Sequence, residues 1–107
     1  MNYIEFEVGN KVYKLRMNIR ATMALEKQLG CNPLAIFGNG DTIPTITTMI
    51  YILHASLQQY QHNITLNDAT AIFEEWIDNG NSPVDFIPVI IEIYKASGII
   101  RIDEKNA

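Results

Sequence analysis

The sequence predicts a single α+β domain, mainly helical, in which an N-terminal β-hairpin packs on a small bundle of three to five helices. Two patterns carry this prediction. Residues 3–17 alternate between apolar and polar on both sides of a Gly-Asn turn, and the later apolar residues recur at helical spacing. A length of 107 residues suits one hydrophobic core and is too short for two domains with a cleft between them. We therefore expect one globular domain over residues 1–102, followed by a polar tail over 103–107.

The hairpin register follows from its two-residue turn, Gly9-Asn10. When Val8 faces Lys11, the side chains sort into one apolar face and one charge-paired face, so a single register satisfies both. The apolar face consists of Ile4, Phe6, Tyr13 and Leu15, and the outer face pairs Glu5 with Lys14 and Tyr3 with Arg16. Because an isolated hairpin is only marginally stable, this apolar face should lie against helices.

Start and stop residues divide the rest of the chain into helices. Asn18 is a suitable N-cap and Gly30 a stop residue for the first helix, and Thr65 with Asp68 has the spacing of a capping box. Pro88 removes a backbone donor, which moves the regular part of the last helix to Asp85 or Phe86. The expected helices span about 19–29, 33–37, 44–61, 66–79 and 84–97, with a loop at 38–40 and a segment at 99–102 that could add a short strand to the hairpin edge.

Two of these helices have apolar residues on a second side, in addition to the stripe that would face the core. In helix 44–61 a core stripe comprises Ile46, Met49, Ile50, Leu53, Leu57 and Tyr60, and a second apolar facet comprises Tyr51, Ile52 and Ala55. In helix 84–97 the core stripe is Phe86, Val89, Ile90 and Ile93, and the second facet is Ile87, Ile91 and Tyr94. A helix that is apolar on two sides is either central to its domain or covered by another chain. Trp76 has the same two interpretations, as a core residue or as an interface anchor.

The charge distribution argues against nucleic acid and membrane partners. The net charge is -4, and no Lys or Arg occurs between Lys27 and Lys95. Binding to phosphate backbones and anionic lipid surfaces depends on Lys and Arg. The longest purely apolar run, Met49 to Leu53, is far shorter than a membrane span, and no secretory signal is visible at the N-terminus. We therefore expect a cytoplasmic protein.

The residues that usually carry catalysis are sparse and scattered. Cys31 is the only cysteine, which excludes an intramolecular disulfide and a multi-cysteine zinc site. His54 and His62 are two helical turns apart, too far for joint metal ligation. The adjacent Glu74 and Glu75 diverge by about 100 degrees on a helix. We predict no enzyme, no cofactor and no metal site.

The order of several segments along the chain resembles a known family. These segments are Tyr13-Lys14-Leu15-Arg16, Ala24 to Leu34, Leu53-His54-Ala55-Ser56-Leu57-Gln58, Ile64 to Asp68, and the late helix from Phe86 to Gly98. Together they look like the tail assembly chaperones of phages and prophages of Gram-positive bacteria, and the resemblance covers nearly the whole chain. It is a similarity of pattern and spacing, with no diagnostic motif whose residues can be transferred position by position.

The resemblance implies a non-catalytic chaperone that binds the helical tape-measure protein and keeps it soluble while tail-tube subunits polymerise around it. Such a protein acts in the host cytosol and is absent from the finished virion. In this family a longer product often arises by ribosomal frameshifting, and Glu104-Lys105-Asn106 could be encoded by an A-rich slippery stretch. Contacts with the tail-tube protein and self-association are further expectations. The partner-binding hypothesis places Tyr51, Ile52, Ala55, Ile87, Ile91 and Tyr94 in contact with the client or another subunit.

Three alternatives remain open at the level of sequence. A phage structural or connector subunit, such as a tail-completion protein, would also be small, acidic and self-associating. The second alternative is a small regulatory protein that binds one transcription factor, and the last is an enzyme.

Overall fold

In the described part of the chain, one antiparallel hairpin and four α-helices build the fold, as the sequence predicts for an α+β, mainly helical chain. The structure is a computed structural model and describes residues 2–37 and 43–100. The strands are β1 (Ile4–Val8) and β2 (Lys11–Leu15); the helices are α1 (Ile19–Leu29), α2 (Ile46–Leu57), α3 (Leu66–Asp78) and α4 (Phe86–Ser97), with short 3-10 helices at Pro33–Phe37 and Pro83–Asp85.

The hairpin has the predicted register. Ile4 lies opposite Leu15, and Val8 lies opposite Lys11 beside the turn. Gly9 has a φ of 60°, the left-handed conformation that this tight turn needs. A Cβ atom at Gly9 would lie 2.9 Å from the Glu75 Oε2 atom, at the end of a flexible side chain that can move away, so the positive φ is the reason for glycine here.

The outer face of the hairpin is organised differently from the prediction. Glu5 and Lys14 are opposite each other, yet the only ion pair within the described ranges joins Lys95 to Glu92 on α4. The Lys14 ammonium lies 5.0 Å from the centre of the Tyr3 ring and 5.8 Å from that of Tyr60. The Tyr3 contact is local to the hairpin, whereas the Tyr60 contact is tertiary, because Tyr60 follows α2.

Local capping residues set the helix ends. The Asn18 side chain accepts a hydrogen bond from the Ala21 backbone N–H, and Gly30 ends α1 with a φ of 70°. Thr65 and Asp68 form the predicted capping box: the Thr65 hydroxyl accepts from the Asp68 N–H, and Asp68 accepts from the Thr65 N–H, both at 3.0 Å. These ends agree with the sequence because their partners are only three or four residues away.

Three boundaries differ from the prediction or refine it. α2 begins at Ile46, because Thr45 caps it, and it stops at Leu57 rather than near Gln61. α4 begins at Phe86, so Pro88 lies in its first turn, where the N–H that proline lacks has no helical partner anyway. Ile99 and Ile100, the first half of the proposed C-terminal strand, form a bend after α4. The rest of that segment, the loop at 38–40 and the tail lie outside the described residues.

The core is centred on an aromatic cluster between the hairpin, α3 and α4. Phe86 is fully buried, and its ring centroid lies 5.8 Å from that of Phe6, 5.4 Å from that of Phe73 and 5.6 Å from that of Trp76. The edge-to-face angles are favourable for aromatic rings. Trp76 is 6% exposed, so the core interpretation of this residue is confirmed.

Hydrogen bonds join the end of the hairpin to two helices. The Arg16 N–H donates to the Ser56 carbonyl of α2 at 3.0 Å, and the Met17 N–H donates to the Ser97 hydroxyl of α4 at 2.8 Å. Ser97 in turn donates to the Ile93 carbonyl. α2 lies at the centre of the domain, because it contacts β2, α1, α3 and α4.

Candidate protein-binding site

Half of the predicted partner-binding facet is buried inside the domain. Ile52 and Tyr94 are 0% exposed and Ala55 is 5% exposed, so the expectation that they form an accessible surface is wrong for these three residues. The physical reason is the central position of α2, whose second apolar side is covered by neighbouring elements of the same chain. Tyr94 is held in place as well, because its hydroxyl donates to the Pro33 carbonyl at 3.0 Å.

The other half of the facet reaches the surface only in part. Tyr51 and Ile87 are half-buried and pack against the core, and Ile91 is half-buried on α4. A partner-binding role for these three residues stays a prediction.

Large exposed apolar side chains occur instead outside the predicted partner-binding facet. Ile19 is 73% exposed and Met23 is 55% exposed, both on α1, and Ile46 of the predicted α2 core stripe is 53% exposed. The helical positions of Ile19 and Met23, opposite Leu25 and Leu29, were available from the sequence. Ile46 lies in the first turn of α2, where it borders a groove rather than the packed core.

A groove of about 500 Å³ lies between α1 and the second half of α2. Its small apolar residues are Ala21 and Ala24 of α1 and Ala55 of α2. Small side chains lower the surface between the two helices and leave room for apolar side chains of a partner. The remaining lining residues are polar: Asn18, Arg20, Gln28, His54 and Gln58.

His54 links this groove to the loop that precedes α3. Its Nε2 atom lies 3.1 Å from the Ile64 carbonyl oxygen. The same Nε2 atom also lies 2.6 Å from the Gln58 amide nitrogen. The Gln58 amide nitrogen also donates to the His54 backbone carbonyl, at 3.3 Å. These bonds fix two side chains on one edge of the groove.

A second groove, of about 400 Å³, runs between the first half of α2 and the second half of α3. Its polar side is acidic, with the exposed carboxylates Glu74 and Asp78. The residues lining it are Ile46, Ile50, Thr70, Phe73, Glu74, Ile77, Asp78 and Pro83.

The two shifted titratable groups have structural explanations. Hydrogen bonds from the Thr65 N–H and hydroxyl lower the pKa of Asp68, which belongs to the capping box. Burial raises the pKa of Tyr94, and the nearby Cys31 thiol adds to that effect. Over residues 2–37 and 43–100, no three His, Cys, Asp or Glu side chains come together as metal ligands. In the same part of the chain, no helix combines the length and the apolar character needed to cross a bilayer.

Comparisons of this chain with protein families, with curated proteins and with solved structures find no match.

Proposed function

We propose that this protein is a phage or prophage tail assembly chaperone, which binds the tape-measure protein without catalysis and supports assembly of the tail tube. The resemblance of the sequence supplies the family, and the groove between α1 and α2 is the observation that supports a helix-binding role. The protein would act in the host cytosol before the tail is complete. The tail-tube protein is a second expected contact.

The groove suits an amphipathic helix because of the size and chemistry of its lining. Ala21 and Ala24 of α1 leave space for apolar side chains that a helix presents three or four residues apart, whereas Ala55 borders the groove with only 5% of its surface exposed. Amide side chains such as Gln28 and Gln58 both donate and accept hydrogen bonds, so they accommodate polar flanks of varied sequence. Arg20 is the one residue with a full charge among the lining residues. A lining of this kind suits repeated helical segments that share an apolar stripe.

The anchoring of α1 is consistent with a groove that adapts to its client. α1 has one buried side chain, Leu25, whereas α2, α3 and α4 each have at least three. Regions with few buried contacts open at lower free energy than the core does. Opening the fold at α1 should therefore cost less than disrupting the core residues of α2, α3 and α4.

The test is co-expression with the tape-measure protein of the same phage, using an Ala24→Arg variant that fills the groove. Ala71→Arg is the matched control, because Ala71 is an exposed alanine in the middle of α3 and does not line the groove. We expect the unmodified protein and the Ala71→Arg variant to keep the tape-measure protein soluble and to co-purify with it, and the Ala24→Arg variant to lose both properties.

Failure of the unmodified protein to bind would remove the chaperone proposal, and full binding by the Ala24→Arg variant would remove the groove as its site. The protein should also be missing from purified virions. Its stable presence there would favour the structural or connector alternative.

A further inference from the structure

The side of β1 that faces away from β2, which we call the open edge, carries backbone groups without a strand partner. The residues that flank a two-residue hairpin turn form a hydrogen-bonded pair, and such pairs then alternate with non-bonded ones. Val8 lies opposite Lys11 beside the turn, so its backbone N–H and carbonyl face β2. Those of Glu5 and Glu7 face away from β2. Within the described residues the sheet has two strands, and no other backbone group bonds to Glu5 or Glu7.

A groove of about 270 Å³ lies along this open edge, between β1 and the first half of α4. Its β1 side consists of Ile4, Glu5 and Phe6. Consecutive residues of a strand point to opposite faces of the sheet, so a groove that touches all three lies beside the strand. Its α4 side includes the apolar residues Pro88, which is exposed, and Val89, which is half-buried. A strand paired with the open edge would therefore place apolar side chains in this groove.

The open edge is also negatively charged. Glu5 and Glu7 are exposed, and Glu92 stands on the α4 side of the groove. Lys14 lies opposite Glu5 in the register, but its ammonium lies over two tyrosine rings. Over residues 2–37 and 43–100, Glu92 is paired with Lys95, and neither Glu5 nor Glu7 has an ion-pair partner.

This charge selects the strands that can pair with the open edge. Edge strands of native proteins are often blocked by a proline, a bulge or a covering element. β1 contains no proline and pairs with β2 residue for residue, without a bulge. Edge-to-edge pairing of two copies is disfavoured, because the glutamates of both copies would meet. A segment that carries basic residues is favoured for the same reason.

We propose that the open edge binds an extended segment of another protein, which adds to the hairpin as a third strand. Backbone hydrogen bonds supply affinity in this mode, and alternate side chains supply specificity. The partner residues opposite Glu5 and Glu7 share their face of the sheet, where basic side chains are favoured. The residue between them points to the other face, toward the apolar groove. The partner is therefore a segment in which apolar residues alternate with Lys or Arg.

The open edge is separate from the α1–α2 groove that we propose for a helical client. The two sites share no lining residue. The inference does not depend on the identity of that client, because its test needs only the purified protein and synthetic peptides. Failure of strand binding and failure of tape-measure binding are therefore distinguishable.

Amide hydrogen exchange measured by NMR tests whether the edge is free. In the full-length protein alone, the Glu5 and Glu7 amides should exchange quickly, whereas those of Phe6 and Val8 should be protected by β2. Protection of Glu5 and Glu7 at every concentration would show that the chain covers its own edge. Protection that grows with concentration would assign the edge to a second copy. Either result would overturn the proposal.

The binding probe is a short capped peptide in which Lys and Val alternate. We expect it to slow exchange of the Glu5 and Glu7 amides and to bind less tightly when salt is added, because exposed charges are screened. Two control peptides, with Glu in place of Lys or with Ser in place of Val, should each bind at least about fivefold more weakly. Equal binding of the Lys–Ser peptide would indicate attraction to acidic surface alone and would overturn the proposal.

Methylated peptide backbones separate strand addition from binding through side chains alone. Only every second N–H of an added strand faces its neighbour. Methylation of the backbone nitrogens of one residue type, either Lys or Val, should therefore abolish binding, and methylation of the other type should leave it largely intact. Equal effects of the two methylations would contradict pairing with β1.

Two matched charge reversals locate the site on the protein. Glu7→Lys alters the open edge, and Glu26→Lys makes the same change in net charge at an exposed position of α1 that lines neither groove. We expect Glu7→Lys to weaken binding of the Lys–Val peptide at least about fivefold and to strengthen binding of the Glu–Val peptide. Glu26→Lys should bind both peptides as the unmodified protein does. Equal effects of the two substitutions, or no binding of the Lys–Val peptide by the unmodified protein, would overturn the proposal.

Discussion

Tyr94→Phe tests how the short 3-10 helix at Pro33–Phe37 is held on α4. The Tyr94 side chain is 0% exposed, and its hydroxyl donates to the Pro33 carbonyl at 3.0 Å across 61 residues of sequence. Its ring also meets the Phe37 ring edge-to-face, with centroids 6.2 Å apart. The substitution keeps this aromatic contact and removes only the hydroxyl.

The expected loss follows from the carbonyl that is left without a donor. Pro33 is buried, so water does not readily replace the hydroxyl of Tyr94. Leaving a buried acceptor unsatisfied costs about 1–3 kcal/mol. For a domain of this size we expect the melting temperature to fall by about 4 °C for each kcal/mol. The loss is a large fraction of the free energy of unfolding, which is about 5–15 kcal/mol for a typical domain.

The effect should shrink at high pH. Burial raises the pKa of Tyr94 above its ordinary value of 10.0, so the folded protein keeps this proton after the unfolded chain has lost it. The contribution of Tyr94 is therefore fully present below about pH 10 and decreases above it, by about 1.4 kcal/mol for each pH unit up to the raised pKa. Phenylalanine has no such proton, so the variant and the unmodified protein should converge as the pH rises.

Urea unfolding monitored by Trp76 fluorescence measures the difference at about pH 8 and about pH 10.5. Tyr13→Phe is the control, because Tyr13 is half-buried and its hydroxyl donates to no described residue. The reasoning would be refuted if both variants lost equally little stability at the lower pH, or if the deficit of Tyr94→Phe grew as the pH rose.

Two further predictions address the core and the helix ends. Ile52→Asp should abolish the cooperative unfolding transition seen by circular dichroism, because it places a carboxylate where exposure is 0%. The control Ile91→Asp should still fold, because Ile91 is half-buried. A stably folded Ile52→Asp protein would contradict the assignment of Ile52 to the core. Thr65→Ala should lower the free energy of unfolding by about 1 kcal/mol, because the Asp68 N–H loses the hydroxyl that caps it. It should also raise the pKa of Asp68 part of the way toward 3.8, because the Thr65 side chain contributes to lowering it and the Thr65 backbone N–H, the larger cause, remains. The stabilising effect of ionised Asp68 is present above about pH 4 and is lost as the pH falls. An Asp68 carboxyl that titrates by NMR at the same pH in Thr65→Ala as in the unmodified protein would contradict this prediction.

Features that depend on neighbours in sequence were predictable. The turn at Gly9-Asn10 fixed the register of the hairpin, and Asn18 and Thr65 fixed the starts of two helices. Each depends on groups within a few residues, so local geometry is sufficient. The effect of Pro88 on the start of α4 was also predictable, because it depends only on the position of Pro88 in the first turn.

The candidate site was much less predictable, because a pattern shows which side of a helix is apolar and not which element covers it. The second apolar facet of α2 is buried by neighbours of the same chain, so Ile52 and Ala55 belong to the core. Ile46 has the spacing of the core stripe, yet it borders the α2–α3 groove and is exposed. The Lys14 side chain has Glu5 opposite it in the register, yet its ammonium lies over the rings of Tyr3 and Tyr60.

The sequence alone determined the α+β class, the hairpin register, the helix order and the separation of basic and acidic residues along the chain. Those properties depend on the period of apolar residues, on local hydrogen bonds and on composition. Only the tertiary structure decided which apolar side chains are buried, and where the grooves lie. Burial depends on packing between elements that are distant in sequence, and α2 acquires its neighbours on several sides only when the whole chain folds around it.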